Sequence, residues 1–308
     1  MEIKKTAIIG LGALGIMYAQ QIAKTLGKNA LRIVADKERI ARYQAQGIYC
    51  NGERCAFDYV DAAEAGDPVD LLIFAVKYNG LAAAIRSAAD QIGPDTLIIS
   101  VLNGITSEQE IADAYGADKV LYAVAQGMDA VKTGYALRYD HIGWLSIGSA
   151  GRAHEEKVDA LARFMDAAGI PHDRPHDILR HMWSKLMLNT GINQTVAVFE
   201  TNYGGVQQEG EARATMIAAM REVIQLAAAE GVALNEADID GWMKVLASMS
   251  ADGLPSMRQD TLAHRPTEVD LFAGTMIRLG KKHGIATPVN DFLYQRIKAI
   301  EQTYGVHV

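Results

Sequence analysis

Lys185, Asn189 and Asn193 stand four residues apart in Trp183-Ser184-Lys185-Leu186-Met187-Leu188-Asn189-Thr190-Gly191-Ile192-Asn193. On a helix that spacing puts all three on one face. The residues between them are largely apolar, so the stripe is either a narrow solvent face or the lining of a polar pocket. Asn is a mediocre helix former and a poor choice for a solvent stripe, which favours the pocket. A lysine in such a pocket can stabilise an anion and donate a proton. A second polar stretch holds Ser256-Met257-Arg258-Gln259-Asp260 and then Arg265-Pro266-Thr267-Glu268-Val269-Asp270. Pro266 fits the first turn of a helix expected over Thr267–His283. There Glu268 and Asp270 suit the positive end of the helix dipole. Glu268 is thus either a dipole-matched acid or a site carboxylate.

A third set of residues lies near the N-terminus. Gly10-Leu11-Gly12-Ala13-Leu14-Gly15 follows an apolar run, Thr6-Ala7-Ile8-Ile9, and opens a helical pattern. This is the dinucleotide-binding pattern. Gly10 allows a tight turn, Gly12 lets the backbone approach a pyrophosphate, and Gly15 lets helix and strand pack closely. The helix start, with Ala13 and Leu14, presents free N–H groups to the phosphates. Asp36 closes the second strand, 21 positions past Gly15. An acid there accepts hydrogen bonds from the adenosine ribose and disfavours a 2′-phosphate. Asp36 is also suited to cap the next helix, and Lys37, Arg39 and Arg42 follow within reach of a phosphate. Lys77 and Asn103-Gly104 each follow a buried strand, at the end that faces the ligand crevice in parallel sheets. Lys77 is either a pyrophosphate cation or a loop lysine. Asn103 is either a bridge between cofactor and substrate or part of a plain turn.

These residues need a scaffold, and the first half supplies one. Short apolar runs, Leu31–Ala35, Leu71–Val76, Thr96–Val101, Val120–Ala125 and Trp144–Ile147, alternate with helical patterns over Leu14–Lys24, Gly80–Gln91 and Ser107–Tyr115 and with a helix or turn over Lys37–Gln46. Ser107 and Glu110 have the spacing of a capping box. Continuous apolar strands alternating with helices imply a parallel, doubly wound α/β sheet. From Ile178 the character changes to long helices, Ile178–Phe199, Glu211–Glu230, Glu236–Ala251, Thr267–His283 and Asn290–Tyr304. The polar stretch Asp173-Arg174-Pro175-His176-Asp177 marks the change. The expected organisation is a Rossmann-like dinucleotide-binding domain over residues 1–175 and an all-helical substrate and catalytic domain over 176–308.

The bulk numbers narrow the function. A chain of 308 residues suits two domains. A formal net charge of −7 opposes nucleic-acid binding, which needs a basic face. Two cysteines, Cys50 and Cys55, without a nearby histidine cluster make no metal site and read as reduced thiols. No apolar run approaches the roughly 18 residues of a membrane span, so a cytoplasmic protein is expected.

Taken together, these motifs resemble the ketopantoate reductases over nearly the whole chain. The resemblance rests on Gly10, Gly12 and Gly15, on Val76-Lys77 and Asn103-Gly104, and on the Trp183-to-Asn193 segment. It rests also on Ser256-Met257 with Gln259-Asp260, on Arg265 to Asp270, and on Gly280-Lys281-Lys282-His283-Gly284-Ile285-Ala286-Thr287-Pro288. It implies reduction of 2-dehydropantoate to (R)-pantoate, in pantothenate biosynthesis, by hydride from a nicotinamide cofactor. Lys185 would be the general acid, and Glu268 would hold the substrate hydroxyl and orient the lysine. Asn103, Asn189, Asn193 and Ser256 would bind substrate, Lys77 would line the cofactor crevice, and no metal is required. Members of the family usually carry Arg where Asp36 stands and use NADPH, so NADP(H) and NAD(H) both stay open. Two other readings stand beside this one. One is a reductase of another small 2-oxo acid; the other is a dinucleotide-sensing protein without catalysis. A homodimer is compatible with the apolar surface expected of the helical half.

Overall fold

Three strands with no polar side chain between their end residues set the frame of the first half. In the computed structural model, which describes residues 1–64, 66–151 and 154–305, the elements run in chain order. They are β1 (Thr6–Ile9), α1 (Ala13–Leu26), β2 (Leu31–Ala35), α2 (Lys37–Gln46), β3 (Tyr49–Cys50), β4 (Glu53–Arg54), β5 (Asp58–Asp61) and β6 (Leu71–Phe74). There follow α3 (Leu81–Ser87), β7 (Leu97–Ser100), α4 (Ser107–Tyr115), β8 (Val120–Gln126), β9 (Val131–Thr133), β10 (Ala136–Arg138), β11 (Trp144–Gly148), α5 (Glu155–Ala168) and β12 (His172–Asp173). One sheet has the order β12-β11-β8-β7-β6-β1-β2-β5. From β5 to β8 every neighbour is parallel, and β11 joins β8 antiparallel.

Alternation across the pleat sends successive side chains to opposite faces. Ile8, Ile33, Leu71, Ile73, Leu97 and Ile99 pack with Ile16, Met17 and Ile22 of α1 and Leu161 and Phe164 of α5. Ala7, Ile9, Val34, Leu72, Phe74 and Ile98 pack on the other face with Leu81, Ala84 and Ile111 of α3 and α4. Both faces are therefore covered, as a parallel sheet requires. Strand order reverses at β1, with β2 on one side and β6 on the other, so the switch point of the doubly wound sheet lies between β1 and β6.

A smaller sheet, β4-β3-β10-β9, falls outside the sequence expectations. Cys50, in β3, and Cys55, the residue after β4, are free and buried. Burial raises both thiols, Cys55 to about 12, so neither is a ready nucleophile.

The chain divides into two compact units, Met1–Ile178 and the residues from Leu179 onward. The second contains α6 (Ile178–Val198), α7 (Tyr203–Gln207), α8 (Glu211–Ala229), α9 (Glu236–Ser248), α10 (Ser256–Leu262), α11 (Ala273–His283) and α12 (Pro288–Gln302). α6 is buried over most of its length. Gly191 explains how α8 comes so close, because a Cβ there would sit 2.7 Å from Met220 and 3.2 Å from the Met216 carbonyl oxygen. Glu222 of α8 accepts from the N–H groups of Val289 and Asn290 and from the Asn290 amide, which satisfies the start of α12. Asn290 also faces Gln194 of α6, whose Oε1 accepts from the Ala273 N–H at the start of α11. One polar chain thus ties α8, α12, α6 and α11 together.

Three local expectations need correction. The helix expected from Thr267 begins at Ala273, and residues 268–272 form turns. Pro266 is therefore not in its first turn. The capping box at Ser107 is absent. Ser107 is the first helical residue, and its hydroxyl bonds to Ser100 and Glu108. The helix expected over Gly80–Gln91 is α3 flanked by short 3-10 turns.

Candidate active site

The first unit gathers its predicted residues at the carboxyl ends of its parallel strands. Gly10 leaves β1 with φ +100°, a conformation that favours glycine. A Cβ at Gly10 would lie 2.7 Å from both the Ala75 carbonyl oxygen and Val76, just past β6. A Cβ at Gly15 would lie 2.0 Å from the Gly10 carbonyl oxygen. The turn is thus a cradle that side chains would fill. Gly12 caps α1 with no side-chain hydrogen bond, and no acid sits in the first turn where Ala13 and Leu14 lie. The uncapped N–H groups at the switch point are of the kind that suits a dinucleotide pyrophosphate.

Lys77 is exposed in the loop after β6, and its carbonyl accepts from Gly80. Asn103 is half-buried in the loop after β7, ahead of Gly104 at φ +91°. Beneath this loop lies a buried polar chain. Ser100 Oγ meets Ser107 Oγ at 2.8 Å and accepts from the Leu102 N–H, while Ser107 Oγ lies 3.0 Å from Glu108 Oε2. Burial raises the Glu108 carboxyl to about 7. Asp36 caps α2, its Oδ1 accepting from the Arg39 N–H at 2.8 Å. Lys37 Nζ lies 3.5 Å from Asp61 Oδ2.

The second unit holds the other set. The polar stripe of α6 is no solvent face, since Asn193 is 6% exposed and Lys185 and Asn189 are half-buried. Asn193 Nδ2 donates to Asn189 Oδ1 at 3.2 Å. Asn193 Oδ1 accepts from Ser256 Oγ at 3.1 Å and from the Met257 N–H at 3.3 Å, which fixes the start of α10 on α6. Its carbonyl thereby accepts twice, so what this pair can offer an oxygen is amide N–H. Glu268 lies close enough to Lys185 for its charge to act on the ammonium. Burial lowers Lys185 from 10.5 to about 8, and the Glu268 carboxylate opposes that shift. An ammonium poised there remains protonated at neutral pH yet gives up its proton readily.

Residues that the sequence did not single out hold the Glu268 loop. Thr267 donates from both N–H and hydroxyl to Glu301 Oε1 at 2.7 Å. Asp270 accepts from Tyr294 and Lys298, each at 2.7 Å. α12 thus clamps the loop on both sides of Glu268. Only a 3.6-residue spacing, Tyr294, Lys298 and Glu301 on one face of a helical pattern, could have hinted at this.

Comparison with known proteins gives a consistent result. The family described as "Ketopantoate reductase PanE/ApbA" matches residues 6–151, and its C-terminal part matches residues 177–301. A 2-dehydropantoate 2-reductase of Vibrio cholerae is 30% identical over 237 residues, covering 77% of this chain and 79% of the relative. One from Aquifex aeolicus is 27% identical over 305 residues and 97% of each chain. Among solved structures, a PanE/ApbA family ketopantoate reductase from Ralstonia eutropha has a TM-score of 0.84 and 25% identity, covering 98% and 99% of the two chains. D-mandelate dehydrogenase with NADH and anilino(oxo)acetate has a TM-score of 0.88 at 23% identity, covering 98% and 100%. Among the described residues no helix is long and apolar enough to cross a membrane, and no cluster of His, Cys, Asp and Glu suits a metal.

Proposed function

The chain belongs to the ketopantoate reductase family, and we propose that it reduces 2-dehydropantoate to (R)-pantoate, in pantothenate biosynthesis, with a nicotinamide dinucleotide as hydride donor. The observation that carries this reading is Lys185, an ammonium in a half-buried position with the Glu268 carboxylate acting on it and the Asn189, Asn193 and Ser256 network one turn further along the same helix. When bound, the nicotinamide supplies the hydride. The first unit contributes the glycine cradle and the N–H groups at the start of α1, which would hold the pyrophosphate, with Lys77 and Asn103 on neighbouring loops. Lys185 Nζ stabilises the negative charge that builds on the ketone oxygen and then delivers a proton to that oxygen. Glu268 keeps the ammonium charged and oriented and accepts from the substrate hydroxyl. Asn189 and Ser256 position the carboxylate end of the substrate, with Asn193 holding both in place. No step calls for a metal.

A second reading keeps this chemistry and changes the substrate. D-mandelate dehydrogenase shares the fold, and fold alone does not choose a 2-oxo acid. Steady-state kinetics with 2-dehydropantoate and with phenylglyoxylate, each with NADH and NADPH, decide between the two. The proposal expects 2-dehydropantoate to have the higher kcat/KM. Turnover of phenylglyoxylate alone would move the assignment to the second reading, and dinucleotide binding without hydride transfer to any 2-oxo acid would leave a sensor.

A further inference from the structure

The adenosine end of the cradle holds an acid that no motif marks. β2 and β5 are parallel neighbours, and Ala35 pairs with Asp61. Asp36, one residue past β2, and Asp61, the last residue of β5, therefore lie at the same carboxyl edge of the sheet. Asp61 is 8% exposed. Its Oδ1 accepts from the Ala63 N–H at 3.0 Å. Its Oδ2 is buried without a hydrogen bond, and the Lys37 ammonium lies 3.5 Å from it.

We propose that Asp61 is a specificity-determining residue that holds Lys37 away from a 2′-phosphate and, with Asp36, makes this chain prefer NADH to NADPH. This rests on the reading of Gly10–Gly15 as a dinucleotide cradle. A buried carboxylate is costly unless a cation compensates it. Lys37 is that cation, and its own side chain is 78% exposed, so it can reach Asp61 without being buried. Turning Lys37 toward a 2′-phosphate would strip Asp61 of its counter-charge. NADPH binding carries that cost and NADH binding does not. Arg39, the second cation of the segment, lies 3.5 Å from Asp36 Oδ2, and its N–H holds Asp36 Oδ1. The cap fixes the Asp36 carboxylate at the helix start, where its second oxygen can accept from a ribose hydroxyl and repels a phosphate. Two of the three cations that could grip NADPH are thus matched by fixed acids.

The test measures dissociation constants of NADH and NADPH by nicotinamide fluorescence, with no oxo acid present. The wild-type chain is expected to bind NADH at least about tenfold more tightly, a difference of one well-placed charge contact. Asp61→Asn, which frees Lys37 without changing shape, is expected to tighten NADPH by roughly fivefold and leave NADH within twofold. Lys37→Met removes a largely exposed side chain but leaves Asp61 without its counter-charge, so its melting curve is recorded beside the binding data. This substitution is expected to change NADPH affinity by less than about threefold, because the ammonium is already committed to Asp61. Equal or tighter NADPH binding by the wild type overturns the proposal. So does a tenfold loss of NADPH affinity in Lys37→Met, which also decides the matter should Asp61→Asn fail to fold. Failure of both dinucleotides to bind would instead reject the cradle reading on which the proposal stands.

Discussion

At the scale of residues, the chemistry turns on the balance between two influences on Lys185. Burial pushes the ammonium down to about 8, and Glu268 pushes it up. As the acid in ketone reduction, Lys185 must be protonated, so kcat/KM for reduction is expected to fall as pH rises through about 8. Glu268→Gln removes the opposing influence and is expected to move that limb to lower pH, which a pH–rate profile reads directly. Lys185→Ala is expected to lower kcat by about 10²–10⁴, the ordinary size of a proton-transfer contribution, while dinucleotide affinity stays within twofold. An unchanged kcat removes Lys185 from the reaction. The same shift affects stability. The folded state binds the Lys185 proton less tightly than the unfolded chain, so stability rises between pH 8 and the ordinary lysine value. Asn193 makes a different point. The spacing of the α6 stripe was readable in the sequence, but the sharing of Asn193 Oδ1 between Ser256 and the Met257 N–H was not. That sharing depends on which turn of another helix arrives there, and no local pattern encodes it.

At the scale of elements, legibility followed burial. β1, β6 and β7 are buried at every position, so the sequence between their end residues is wholly apolar. β3, β4, β9 and β10 are two or three residues long and mostly exposed, so they leave no periodic signal. The start of α11 misled because Thr267 and Asp270 look like first-turn residues. They are committed instead to Glu301, Tyr294 and Lys298. That commitment makes α12 a positioning element for Glu268. Glu301→Ala leaves the Thr267 N–H and hydroxyl without their carboxylate and is expected to cost about 1–3 kcal/mol of stability. It should also lower kcat more than it raises KM and shift the Lys185 limb of the pH profile. A stability loss with an unaltered pH profile would reduce the clamp to scaffolding. The Ser107 capping box failed for a related reason, since its hydroxyl serves the buried chain under the Asn103 loop. Glu108 in that chain has its carboxyl raised to about 7. The folded state then binds a proton that the unfolded chain has released, so stability falls as pH rises from the ordinary carboxyl range to about 7. Glu108→Gln is expected to flatten this slope in denaturant melts between pH 5 and 8; a slope equal to that of the wild type would place the titration elsewhere.

At the scale of the whole molecule, the division of labour is the testable feature. The first unit has its own two-faced core on the parallel sheet, and the second has its own helical core around α6 and α8. Every residue assigned to the dinucleotide lies in the first unit, from Gly10 to Asn103. A ligand stabilises what binds it, by about 2.7 kcal/mol at a hundredfold excess over Kd. For a unit of this size that corresponds to a rise in Tm of roughly 5–10 °C. NADH added alone should therefore raise the melting temperature by that order and slow amide hydrogen exchange most in peptides spanning β1, α1, β6 and β7. Peptides of α8 make no assigned contact with the dinucleotide and belong to the other core, so their exchange should slow less. Equal or greater slowing in α8 would contradict the assignment of the dinucleotide to the first unit. Addition of the oxo acid to the NADH-loaded chain should then slow exchange along α6 and at the start of α10, where Asn189, Asn193 and Ser256 converge. The order matters physically, because the two ligands are assigned to different cores and each should protect its own.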